Sequence, residues 1–511
     1  MVTNQIYTPM KKIVISILIA LIVVSTGISA QNSYFKIFYY PETQDCSNAV
    51  KTQDNSMILA IQTSLNQNML LKINLVGDTV ASRNITSPRY YCYLTRILET
   101  QNHEYIGIGY GFDLGVDVPY SNVELTYVHF NENLEILGQN TFFVSDSSWG
   151  GFTYPNAILN NEQHTIIGIQ EELAGSITKI DFYEISSTDD SIATYTLMHN
   201  RNVVFKSMVQ KTDLSGYYIS VKGAWESGSN NNCSIIEVDN EFNLVTSDTL
   251  PGEIGYNNQL RYFNDHSFIS GGRADIWHIP PVCPPWPWET LEYCIEKLDT
   301  NFAPIKQAYL CPLDNIHDTA YNAAHLQNFD FIDTNNIYTC YYYDISGSPY
   351  YGLNFMSIAK LNANLEVKWQ YFYGFDAYYD PYAITATTDG GCFLHGLIYY
   401  NPNKNPNNCD LFYVQVDSSG LFLLPNKKLS PIVHSAILYP NPGKDLVYIQ
   451  SGPQVNGALM QLFDISGKPI AEQRIDATLL QLPVQNLPKG VYPWRIVLNN
   501  KVVDSGKWVK E

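Results

Sequence analysis

One short pattern recurs along most of this chain: an apolar-polar strand that closes on Asp or Asn and then turns. It reads Lys72-Ile73-Asn74, Val128-His129-Phe130-Asn131, Ile236-Glu237-Val238-Asp239, Glu296-Lys297-Leu298-Asp299, Ala359-Lys360-Leu361-Asn362 and Val414-Gln415-Val416-Asp417, with a seventh copy expected near Lys179-Ile180-Asp181. The closing residues 239, 299, 362 and 417 stand 60, 63 and 55 residues apart, and the gap from 131 to 239 is twice 54. A period of that size holds one four-stranded sheet with its loops.

A β-rich first half precedes each copy, for example Met57-Ile58-Leu59-Ala60-Ile61, Tyr105-Ile106-Gly107-Ile108-Gly109 and Ile337-Tyr338-Thr339-Cys340-Tyr341. Short strands at regular spacing, with no helical periodicity, favour an all-β fold of small sheets packed radially. A seven-bladed β-propeller over residues 33–430 accounts for both the count and the unit length. An open β-solenoid is the rival, with shorter coils and a need for caps. Gly107, Gly109, Gly271, Gly272 and Gly396 are then expected on innermost strands, where the backbones of neighbouring blades approach. The closing Asp or Asn has a local role, because its side chain accepts backbone N–H groups of the turn. The phrase Asp389-Gly390-Gly391-Cys392-Phe393-Leu394-His395-Gly396 resembles the repeat of secreted Bacteroidetes propellers, in which an Asp-Gly-Gly turn opens each inner strand.

Residues 1–30 read as a secretory signal peptide: the basic pair Lys11-Lys12, an apolar run from Ile13 to Val24, then small residues up to Ala30. That run of about 12 residues falls short of the roughly 20 a bilayer-spanning helix needs, so no membrane-spanning segment is expected in the mature chain. Aromatic residues make up 13% of the chain, with 38 Tyr, against 15% charged residues. This balance suits an extracellular β-protein. A formal charge of −19, from 49 acidic and 30 basic residues, repels a phosphate backbone and argues against a nucleic-acid partner.

The tail, residues 434–511, has its own vocabulary. Tyr439-Pro440-Asn441-Pro442 is followed by Leu462-Phe463-Asp464-Ile465-Ser466-Gly467-Lys468, then Leu487-Pro488-Lys489-Gly490-Val491-Tyr492, and finally Lys507-Trp508-Val509-Lys510. Period-two strands at 446–449, 458–463, 479–482 and 494–498 predict a small β-sandwich. The motif order resembles the type A C-terminal sorting domain of the type IX secretion system of Bacteroidetes, carried here by Pro440, Asn441, Pro442, Asp464, Gly467, Lys468, Gly490, Tyr492, Lys507 and Lys510. The resemblance implies export through the periplasm, partnership with the type IX translocon and sorting machinery, and a secreted or outer-membrane-surface location.

No reaction is named by the sequence. Ten histidines are scattered without a His-Glu-x-x-His pair, and Gly-x-Ser-x-Gly and phosphate-cradling loops are absent, so no cofactor or metal is expected. The proline-rich insertion from Trp277 to Trp288 makes Trp286 and Trp288 candidate stacking surfaces, and the tyrosine-rich stretches add Tyr342 and Tyr379. Of nine cysteines, Cys283 and Cys294 form the best local disulfide candidate, since a bond there closes the proline loop. The expected function is a binding scaffold displaying its loops to a glycan, peptide or surface protein. The alternative is an extracellular polysaccharide hydrolase or lyase using acids contributed by different blades.

Overall fold

The computed structural model describes residues 33–510 apart from several inter-strand connections (115–119, 149–153, 174–176, 200–202, 224–232, 250–253, 277–289, 311–319, 345–353, 375–376 and 400–408), the linker 421–435 and a few shorter breaks. The signal-peptide segment, Cys283, Trp286, Trp288, Pro442 and Gly467 lie outside the described residues. Among the described residues no helix is long and apolar enough to cross a membrane.

The described chain is all β, with seven similar antiparallel sheets followed by two smaller ones. Sheets one to five each run through four consecutive strands. In the sixth the first strand is split into Ala320–Ala323 and Phe329–Phe331, both paired with Ile337–Asp344. The seventh has Tyr378–Ala386, Cys392–Tyr399 and Cys409–Val416 from its own stretch and takes its fourth strand, Tyr34–Thr43, from the beginning of the described chain.

The core lies between sheets. Ile58 and Leu70 of the first sheet pack with Tyr105 and Phe130 of the second, and equivalent clusters join second to third, third to fourth, fourth to fifth, fifth to sixth and sixth to seventh. A further cluster joins Tyr382, Phe393 and Leu411 of the seventh to Met57, Leu59 and Ile61 of the first, so the succession of contacts returns to its start. This explains the burial of the strands. Met57–Ser64 and Gln67–Ile73 lie between neighbouring sheets and are apolar on both faces, whereas the fourth strands Thr79–Thr86 and Ser191–His199 are largely exposed.

The strand-closing residues build a recurring turn. Oδ1 of Asn131 accepts the N–H groups of Asn133 and Glu135, and Asp239, Asp299 and Asn362 repeat the arrangement on residues two and four further on. Three residues after the closing position the backbone is left-handed, at Leu134, Phe242, Phe302 and Leu365. These are costly places for a large side chain, held by the clamp before them. The seventh copy is not at Asp181. That residue lies within the strand Ile177–Ile185 and holds Lys179 at 2.6 Å, and the turn is built by Ser186, whose Oγ accepts from Thr188 and Asp190.

The expected innermost strands are also displaced by one. Segments such as Tyr105–Asp113 and Cys392–Tyr399 are second strands, and the first strands of successive sheets adjoin one another: Val50–Lys51, Tyr91–Glu99, Asn156–Leu159, Val203–Gln210, Ile254–Asn264, the split pair in the sixth sheet and Tyr378–Ala386. Asp389-Gly390-Gly391 accordingly opens a second strand, with Thr387 and Gly391 closing the turn. The glycines Gly109 and Gly396 face bulged first strands of their own sheets. A Cβ would collide with the Tyr93 carbonyl at Gly109 and the Asp380 carbonyl at Gly396. Gly271 does meet the neighbouring sheet, at Phe329 and Asn328.

In the tail, Ala436–Tyr439, Leu446–Ser451 and Leu479–Pro483 make one sheet, and Pro469–Arg474, Leu459–Phe463, Gly490–Leu498 and Lys501–Lys510 the other. Val447 and Ile449 of the first share a core with Met460, Trp494, Ile496 and Trp508 of the second.

Candidate functional site

In all seven sheets the turn from first to second strand is short, as is that from third to fourth in sheets one to six, and these turns fall at one end. The strand ends flanking the longer connections fall at the other. Residues in or beside the entry halves of the first strands converge near that second end. Asp45 precedes Val50–Lys51, Tyr154 precedes Asn156–Leu159, Lys206 lies on Val203–Gln210, His325 sits in the gap of the split strand, and Asp380 and Tyr382 lie on Tyr378–Ala386.

Irregular backbone aims these side chains. The register of the first strand shifts between Phe205 and Ser207, around Lys206, and between Pro381 and Ala383, around Tyr382. A bulge places an extra residue on one strand and turns its side chain out of the regular alternation. In the sixth sheet the excursion is longer. Leu326 and Gln327 both donate their N–H to the Tyr382 carbonyl, at 2.9 and 3.1 Å, and Gln327 bridges Ala383 in parallel register.

The resulting contacts join sheets that are far apart in sequence. Tyr154 Oη donates to Asp45 Oδ2 at 3.0 Å, and the Cys46 N–H donates to Asp45 Oδ1 at 2.8 Å. His325 Nε2 lies 2.7 Å from Asp380 Oδ1, and its ring stands 5.1 Å from that of Tyr382. Deeper along the first strands, Gln259 Nε2 and Arg96 Nη1 donate to the Leu326 carbonyl at 2.8 and 3.3 Å. Asp45 and Tyr382 are buried, at 4% and 6% exposure, while Tyr154 keeps 38% of its surface and the His325 side chain 34%. The two exposed groups therefore stand in front of the two buried ones.

Burial pushes the Asp45 carboxyl up to about 6, although the Cys46 N–H, the Tyr154 hydroxyl and the positive field of His325 oppose the shift. At His325 burial disfavours the charged ring, but the Asp380 carboxylate beside it and Asp45 beyond outweigh that and raise its pKa. The Asp45 charge and burial raise the Tyr154 phenol, and burial followed by Asp45 raises that of Tyr382, so both remain hydroxyl donors. The cluster thus holds a carboxyl at Asp45 whose proton is exchanged at about pH 6 and an imidazole at His325 that keeps its proton above the ordinary range, next to the Tyr154 hydroxyl. Those are the elements of general acid–base chemistry.

The binding residues expected from sequence are placed differently. Tyr342 and Tyr379 are 4% and 3% exposed and belong to the core between the sixth and seventh sheets, because their strands are buried on both faces, as the equally buried neighbours Tyr341 and Tyr378 show. The Tyr342 ring does stand 6.3 Å from that of His325. Cys294 is fully buried on the third strand of the fifth sheet. His395 is a structural histidine: it lies 2.6 Å from the Ser47 carbonyl and burial pushes it down to about 4. None of Asp45, Arg96, Tyr154, His325, Asp380 and Tyr382 belongs to a local motif. Apart from Asp380 and Tyr382, which share a strand, each comes from a different sheet or turn, and the nearest available signal is a polar residue interrupting an otherwise apolar repeat.

The Asn441 and Trp508 motifs join the two sheets of the tail, and the others clasp turns. Asn441 donates to the Lys507 carbonyl at 2.9 Å and accepts the Val509 N–H at 2.9 Å. Trp508 Nε1 donates to the Pro440 carbonyl at 2.6 Å, and Lys510 reaches the Lys444 carbonyl. Asp464 clasps the Lys468 N–H at 3.0 Å, and Tyr492 Oη donates to the Pro488 carbonyl at 2.5 Å. The family model described as a secretion system C-terminal sorting domain matches residues 437–511. The tail is a type IX sorting domain. It provides for secretion and surface localisation by that system, and the type IX translocon is its partner.

No curated protein matches the chain. Among solved structures, an ulvan lyase of a new polysaccharide lyase family aligns at 8% identity and a TM-score of 0.46, over 75% of this chain and 96% of its own. A protein of unknown function from Dyadobacter fermentans aligns at 10% identity and 0.40, over 61% and 94%. An aldose sugar dehydrogenase from Streptomyces coelicolor aligns at 8% and 0.32, over 76% and 99%. Likenesses of this size assign neither fold nor activity.

Proposed function

We propose that this chain is an exported carbohydrate-active enzyme. In this reading residues 33–430 form a seven-bladed propeller, residues 434–511 pack as a small sandwich that directs export, and the cluster on the axis cleaves a polysaccharide by acid–base chemistry. The cyclic succession of inter-sheet cores supports the propeller, and with it an axis on which the first strands converge. The observation that carries the activity is the pairing of Tyr154 with Asp45 beside His325 and Asp380, four groups from two sheets and the segments before two others. Acid–base cleavage needs only water or a proton acceptor, a requirement that holds outside the cell.

The test is product analysis. The purified mature chain, incubated with a panel of plant and algal polysaccharides, is expected to release oligosaccharides, measured as new reducing ends and as ultraviolet-absorbing unsaturated ends. Tyr154→Phe and His325→Gln should each reduce the rate at least about 100-fold without lowering Tm. Polysaccharide binding with no product from any polymer would select the binding scaffold instead. For the sorting domain, cells expressing a chain that stops at Ser435 should retain it in the periplasm, and fractionation showing normal surface delivery would overturn its role.

A further inference from the structure

Arg96 is a part-buried cation of the seven-sheet region with no acidic partner among the described residues. It lies on the first strand of the second sheet, directly after the bulge that follows Leu94. Among the described residues no carboxylate comes within ion-pair distance of it. The contrast with its neighbours is sharp: Arg89 holds Asp113 and Glu124, Arg261 holds Asp330, and Lys72, Lys179 and Lys211 each reach two carboxylates. With 49 acidic residues in the chain, acidic partners are not scarce.

A guanidinium has five N–H donors, and the bond from Nη1 to the Leu326 carbonyl engages one of them. The neighbouring charge is a second cation, Arg261; burial and that neighbour bring the Arg96 pKa down to about 10. Holding a part-buried positive charge without a counter-ion is unfavourable, and an anion reaching its accessible edge lowers the cost. Leu326 follows His325 in the chain, so Arg96 is one residue removed from the acid–base cluster.

We infer that Arg96 receives an anionic substituent of the glycan, a carboxylate or a sulfate ester, so that the site selects an acidic polysaccharide. This inference rests on the reading of the axial cluster as a carbohydrate site. A planar guanidinium fits both groups with paired hydrogen bonds, which a lysine does not reproduce. The chain as a whole repels polyanions, so selection for one needs a local cation of this kind.

The test uses the mature chain and matched polymers: polygalacturonate against its methyl ester for carboxylate, and dextran sulfate against dextran for sulfate. The wild type should bind one anionic member at least about tenfold more tightly than its neutral counterpart. Arg96→Gln should abolish that preference with Tm unchanged or raised, and Arg96→Lys should keep part of it. On the wild-type protein, free galacturonate or inorganic sulfate should compete with the anionic polymer, which tests the site without a substitution. Equal affinity for charged and neutral polymers, or a preference that survives Arg96→Gln, overturns the inference. Cleavage of neutral polymers would then leave the acid–base reading standing, whereas a preference that depends on Arg96 with no products would strike only the catalytic reading.

Discussion

Asp45→Asn is expected to raise the thermal stability of the folded chain at pH 7.5 and, in the same protein, to remove its activity. The Asp45 carboxyl is buried and its pKa stands at about 6, above the ordinary value of 3.8. The folded state therefore holds the proton more tightly than the unfolded state. Wild-type stability from this group is full below about pH 4, declines as pH rises towards 6, and is lost above it. A shift of this size corresponds to on the order of 3 kcal/mol at most. The amide removes the charge, its oxygen still accepts the Cys46 N–H, and its NH2 can donate to the Tyr154 hydroxyl oxygen, so its advantage should appear at pH 7.5 and vanish at pH 4. Melting curves at the two pH values decide the matter. An asparagine variant less stable at pH 7.5, or equally active, would show that Asp45 is an ordinary structural acid.

Deleting Tyr34–Thr43 should abolish cooperative folding of the seven-sheet region. The strand supplies the outer ladder of the seventh sheet, pairing Tyr34 with Gln415 and Phe38 with Leu411. It also joins that sheet to the first: the Tyr34 ring packs on Gly77 and against Tyr413, and Lys36 pairs with Asp78. Phe35 and Ile37 pack against the core between the sixth and seventh sheets, and Phe38 against that between the seventh and first. Partial burial of four large side chains is worth on the order of 5 kcal/mol, comparable to the whole stability of many domains. Denaturant unfolding followed by circular dichroism should lose its sharp transition, and a peptide spanning residues 31–43 added in trans should restore it. An unchanged transition midpoint would show that the seventh sheet is complete without this strand.

What was legible in the sequence follows from which strands are regular. Second and third strands lie between sheets, so Met57–Ser64 or Cys409–Val416 carry continuous apolar runs, and the clamp at Asn131 or Asp299 marks where third strands end. The first strands were missed because they are short or irregular: Val50–Lys51 has two residues, the sixth is split, and others carry bulges. Displacing every inner strand by one was the consequence. The Asp45–His325 cluster was illegible for a related reason. Its residues come from several sheets and turns, and a repeat reveals its period but not which polar residues come together. The sorting domain was readable because its motifs are short-range turns and a clasp, as at Asp464 and Asn441, built by the same residues that the pattern names.

The borrowed fourth strand of the seventh sheet also makes completeness a visible property of the molecule. Tyr34–Thr43 is synthesised early, and its partner Cys409–Val416 comes last among the seven-sheet strands. A polypeptide broken off anywhere before Cys409 carries a leading segment with nothing to pair with, and an unpaired strand edge is what aggregation and proteolysis act upon. An incomplete chain thus exposes a strand edge that the complete chain covers, the first-made strand closing on the last.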